Sequence, residues 1–70
     1  MSSAKLKYMG NQIVRNFAVM PHEEALEATR DHLLKFWNRV MRNRIFEELD
    51  RGEEGFDPLL VEALRGLKRN

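Results

Sequence analysis

Acid–base chemistry in this sequence would have to come from His22, His32, Tyr8 and the carboxylates, because there is no cysteine and serine occurs only at positions 2 and 3. A nucleophile paired with a base needs more than that, and serines at a fraying terminus are poor candidates. The lack of cysteine also removes zinc-finger, thioredoxin-like and cysteine-nucleophile chemistry. Glu27, Asp31 and His32 are the residue types of a metal site, but at helical spacing Glu27 and Asp31 share a face that His32 leaves. No duplicated Glu-x-x-His pair accompanies them, as a di-metal bundle would need. The expected role of Glu27 and Asp31 is therefore a solvated acidic face, and that of His32 a partly buried side chain hydrogen-bonded within a bundle. Gly52 and Gly55 lack the Lys-Ser or Lys-Thr that follows a phosphate-binding loop; they read as the end of one helix and the approach to another.

Recognition is the better-supplied chemistry. Arg39, Arg42 and Arg44 follow Trp37 closely, and arginine with an aromatic neighbour is the composition of an interface that takes carboxylates in bidentate fashion. Trp37, Arg39, Arg42, Arg44, His32 and Tyr8 are the candidate partner-binding residues. The competing reading is a solvated helix face in which Arg44 pairs with Glu47 or Glu48. On the docking reading, removing the three arginines weakens a complex without unfolding the chain. Nucleic acid is a poor third, since the net charge is only +1 and a short basic run is a weak footprint.

The elements that would carry these residues are helices throughout, with no strand signal, repeat or low-complexity segment. The expected bounds are about 3–19, 21–37, 39–51 and 58–68 in one domain: four short helices, or three if the chain runs straight through Asn38. In the first, Ser2 or Ser3 is the N-cap, and Leu6, Met9, Ile13, Phe17 and Met20 form the apolar stripe. Gly10 interrupts that stripe without breaking its register, which points to close approach of another helix. Lys5 and Lys7 lie against the helix dipole, so this end is expected either to fray or to be held by an acidic neighbour.

Pro21 starts the second helix, whose inward face is Leu26, Thr29, Leu33 and Phe36 or Trp37, and Asp31 and Lys35 form a pair along it. The densest stretch runs from His32 to Leu49. There Leu33, Trp37, Met41, Ile45 and Leu49 recur every four residues, with Phe36 and Val40 expected beside them in the core. If Asn38 caps a new helix, its arginines stand at the positive end and Glu47, Glu48 and Asp50 at the negative end, against the dipole. That arrangement makes sense if the arginines meet acidic groups outside the chain. Asp57 as N-cap and Pro58 at the first position open the last helix, with Phe56 stapled to Val61. Leu60, Ala63, Leu64 and Leu67 face inward, while Arg65, Lys68 and Arg69 suit its C-terminal end.

At 70 residues such a chain buries only about 60% of the surface its unfolded form exposes, so binding a partner would help to hold it. No apolar run approaches the roughly 18 residues needed to span a bilayer, and no signal peptide is evident, so a soluble cytoplasmic protein is expected. Charge is arranged in blocks. Basic residues precede Pro21, acids follow from Glu23 to Asp31, Lys35 to Arg44 is basic, Glu47 to Asp57 mostly acidic, and the tail basic again.

The order of short motifs is itself informative: Lys5-Leu6, Tyr8-Met9 and Asn11-Gln12-Ile13, then His32-Leu33, Phe36-Trp37, Met41-Arg42 and Ile45, then Gly55, Asp57-Pro58-Leu59 and Ala63-Leu64. Over nearly its whole length the chain resembles the delta subunit of the soluble, NAD-dependent, molybdenum-containing formate dehydrogenases. Where that family carries Asp-Pro-Arg-Met after Phe-Trp, this chain has Asn38, Arg39, Val40 and Met41. The resemblance implies a non-catalytic accessory subunit, without a cofactor of its own, in a cytoplasmic complex. Its partners would be a large subunit with bis-molybdopterin guanine dinucleotide and iron–sulfur clusters, and subunits that carry FMN and use NAD. A stand-alone helical adaptor or homodimer is the alternative, and a small nucleic-acid regulator a remoter one.

Overall fold

A computed structural model describes residues 2–69, with the side chain of Arg69 outside that description. Four helices follow one another: α1 (Ser3–Phe17), α2 (His22–Phe36), α3 (Arg39–Arg51) and α4 (Pro58–Arg69). No strand occurs among the described residues, and no helix is long and apolar enough to cross a membrane.

Helix α1 begins at Ser2, whose hydroxyl accepts from the Lys5 amide at 3.2 Å. It ends two residues short of the expected 19. Pro21 excludes Met20 from helical geometry, and the chain turns instead, with the Met20 amide on the Phe17 carbonyl at 3.0 Å. The buried face is Leu6, Gly10 and Val14, with Met9 and Ile13 at its edge. That rotates the core face away from the expected stripe, leaving Phe17 half-buried and Met20 exposed. Gly10 explains the rotation: a Cβ there would stand 2.8 Å from Leu60 Cδ2 and 3.5 Å from Ile45 Cδ1, so α3 and α4 side chains close directly onto the helix backbone.

Pro21 caps α2 without a side-chain bond, its carbonyl taking the Ala25 amide at 2.9 Å, and Glu23 and Glu24 occupy the positive first turn. Ala25, Leu26, Thr29 and Leu33 turn inward. α2 packs along α4, and α1 touches all three other helices. Arg30 reinforces the first contact, donating from Nε to the Ala63 carbonyl at 3.2 Å and from Nη2 to the Glu62 carbonyl at 3.1 Å.

The helix breaks at Trp37–Asn38. Trp37 takes an extended conformation (φ −98°, ψ 138°), and the Asn38 side chain accepts from the Met41 amide at 2.9 Å, which is the N-cap of a new helix. The break corrects one expectation. Trp37 fills the corner at 5% exposure, while Phe36 at 70% and Val40 at 65% are left in solvent. Beyond the corner, Ile45 and Leu49 are buried and Met41 and Phe46 lie at the core's edge.

Gly52 (φ 154°) ends α3, and Gly55 (φ 82°) shapes the loop to α4. Asn11 holds that loop from α1, donating to the Gly55 carbonyl at 2.8 Å and accepting from the Asp57 amide at 2.9 Å. Lys7 adds a bond to the Glu54 carbonyl at 3.0 Å, a contact with Glu48 at 3.6 Å and a position 4.9 Å from the Phe56 ring centre. Its acidic neighbour is thus Glu48. Asp57 caps α4 through the Leu59 amide at 2.9 Å, and Phe56 and Val61 lie together in the core with Leu60 and Leu64.

Candidate docking surface

The residues expected to bind a partner divide into those the fold uses and those it leaves outside. Trp37 is a core residue. Arg42 is half-buried, and its Nη1 donates to the Leu33 carbonyl at 3.1 Å and to the Trp37 carbonyl. The Leu33 carbonyl already takes the Trp37 amide at 3.1 Å, and the guanidinium of α3 adds a second donor to it and supplies the Trp37 carbonyl at the break. Removing Arg42 together with Arg39 and Arg44 would therefore cost the isolated chain some stability as well as any contact.

Arg39 and Arg44 are exposed. Arg44 is already engaged by an interaction of its own, and Glu48, one of its expected partners, pairs with Lys7 and with Arg51 at 3.2 Å. Arg39 makes no hydrogen bond or ion pair among the described residues.

His32 is half-buried between two aromatic rings, its centre 4.7 Å from that of Phe36 and 6.2 Å from that of Phe17. The expected hydrogen bond within the bundle is replaced by ring contact. Tyr8 is 64% exposed on α1. It lies nine residues before Phe17 on the same helix, about 14 Å along the axis, and so stands apart from the corner.

Phe17, Phe36 and Val40 are the residues that sequence periodicity assigned elsewhere. Asn38 was the signal available for Val40, since a helix restarted there resets the face on which the following residues fall.

Around the remaining surface several cations have local acids. Lys35 pairs with Asp31 at 3.0 Å, Lys68 with Asp50 at 2.7 Å, and Arg65 with Glu53. Glu27 and Asp31 do share a face, lining a shallow cleft with Met20, Glu24 and Ala28. Among the described residues, no group of three or more His, Asp or Glu side chains could hold a metal ion. His22 meets Glu62 at 3.0 Å, a histidine held by a carboxylate, and no hydroxyl among the described residues hydrogen-bonds to that imidazole.

Fold and surface together define a small all-α protein with exposed aromatic and arginine side chains at a sharp corner between two helices. Residues 5–64 match the family model described as NADH-dependant formate dehydrogenase delta subunit FdsD, and the chain belongs to that family. Among curated proteins and solved structures, none matches it.

Proposed function

We propose that this chain is the non-catalytic accessory subunit of a cytoplasmic, NAD-dependent molybdenum formate dehydrogenase, docking on the large catalytic subunit through the Trp37–Arg44 region. Family membership over residues 5–64 is the observation that carries this reading. Bis-molybdopterin guanine dinucleotide, iron–sulfur clusters and FMN belong to the partner subunits, and the electrons from formate pass to NAD there. The delta chain acts by binding. A subunit that prefers the cofactor-loaded or active conformation of its partner raises the population of that conformation in proportion to its preference. Aromatic and arginine side chains displayed beside a capped helix corner suit such docking.

Cells lacking the chain supply the test, with formate-dependent NAD reduction and subunit assembly measured in their extracts. The expected outcome is loss of activity or of assembled holoenzyme, restored by supplying the chain from a plasmid. Full activity and full assembly in its absence would refute the accessory role.

A further inference from the structure

Two exposed large apolar side chains stand where α2 breaks into α3. Phe36 and Val40 flank the break at 70% and 65% exposure, and the Phe36 ring leans on His32, which in turn contacts Phe17 from the end of α1. The result is a surface shared by the ends of two helices and the start of a third. Its geometry is fixed from beneath by Trp37 and by the Arg42 bonds to the Leu33 and Trp37 carbonyls, so it is displayed rigidly. Rigid aromatic surface loses little conformational freedom on binding, which is what a docking anchor needs.

Charge at this corner is uncompensated. Arg39 follows Phe36 by three residues and precedes Val40, is exposed, and has no hydrogen bond or ion pair among the described residues. It also occupies the first position of α3, a 13-residue helix whose N-terminal dipole disfavours a cation. An external carboxylate would be attracted by both the guanidinium and the helix end. Lys7, Lys35, Arg51, Arg65 and Lys68 all have acids within the chain; Arg39, like Lys5 and Arg15, has none among the described residues, and it is the one flanked by the exposed Phe36 and Val40.

We infer that the corner formed by Phe36, Arg39 and Val40, with His32 and Phe17 behind, is the docking surface, and that its occupant is an apolar patch with an acidic rim on another subunit of the assembly. This rests on the accessory-subunit reading above and specifies the site and chemistry of that contact. A second copy of the chain fits the corner poorly. A two-fold contact centred here sets Arg39 near its own counterpart. Pairing the corner with the acidic start of α2 in another copy is a head-to-tail contact that forms a filament unless its rotation happens to close a ring.

The test uses the full-length tagged chain, expressed with the formate dehydrogenase subunits. The variants are F36S/V40S, R39E and, as a control on another face of α2, L34S, since the Leu34 side chain is 56% exposed on the acidic side of that helix. All three change exposed residues, and circular dichroism melts of the isolated variants check that each remains folded. The wild-type chain and L34S are expected to retain the other subunits. F36S/V40S and R39E should each weaken the complex by about tenfold or more, and wild-type binding should weaken as salt rises.

Folded corner variants that retain the subunits as well as the wild type does would overturn the docking site and leave the accessory role standing. A wild-type chain that retains no subunit would overturn both. Self-association of the isolated chain in sedimentation, abolished by F36S/V40S, would assign the corner to a second copy and overturn the acidic-partner inference.

Discussion

The guanidinium of Arg42 donates to the main-chain carbonyl of Leu33 at 3.1 Å, so the start of α3 closes the end of α2. The Leu33 carbonyl already takes the Trp37 amide, so the guanidinium is its second donor. The same Nη1 also reaches the Leu34 carbonyl at 3.5 Å and the Trp37 carbonyl at the break, where an unsatisfied carbonyl would cost stability if buried. An arginine that sequence position placed in a contact cluster is thereby a structural clamp, and Arg39, three positions before it, has no partner among the described residues.

Arg42→Ala is accordingly expected to destabilise the isolated chain by about 2 kcal/mol, the worth of charge-assisted hydrogen bonds at a partly buried site. For a domain of this size that lowers the melting temperature by roughly 8 °C or more. Arg39→Ala should stay within about 0.5 kcal/mol of wild type, as an exposed change usually does. Thermal melts followed by circular dichroism distinguish the two, and equal effects would remove the distinction between clamp and contact.

Thr29 is fully buried on α2, and its hydroxyl oxygen has no hydrogen-bond partner. An unsatisfied buried hydroxyl costs about 1–3 kcal/mol, while valine has nearly the same shape and no such group. Thr29→Val should therefore raise stability by about 1 kcal/mol and the melting temperature by about 4–8 °C. A lower melting temperature would show that the hydroxyl is satisfied in solution.

Gly10→Ala sets two effects against each other. Helix propensity favours alanine by about 1 kcal/mol. Against that, the added methyl would stand 2.8 Å from Leu60 Cδ2, and Leu60 is fully buried, so its side chain would have to shift within the core. Overpacking of this kind typically costs 1–3 kcal/mol. Net destabilisation by about 1 kcal/mol is expected in urea unfolding, and a stabilised variant would mean that α1 and α4 can separate at little cost.

Much of this architecture could be read from local chemistry. Asp57 with Pro58 marked the start of α4, Pro21 separated α1 from α2, and Gly10 signalled the close approach that Leu60 makes. Periodicity failed where two residues competed for one inward position. Phe36 and Trp37 are both large and aromatic, and only the break decides that Trp37 turns in while Phe36 stays out. Asn38 can cap a helix or sit within one, so its choice depends on tertiary packing.

The arginines were harder still, because exposure and partnering depend on where another helix ends. Nothing adjacent in sequence tells Arg42, which bonds to α2, from Arg39, which has no partner among the described residues. Tyr8 entered the candidate set by residue type, and its place along α1 separates it from the corner.

The most direct measurement is recovery of the tagged chain from extracts of the cells that make it, with the accompanying proteins identified and formate-dependent NAD reduction assayed in the eluate. The account predicts a large molybdenum-containing subunit in the eluate together with that activity. Recovery of the chain alone, from cells whose formate dehydrogenase is active and assembled, would contradict it.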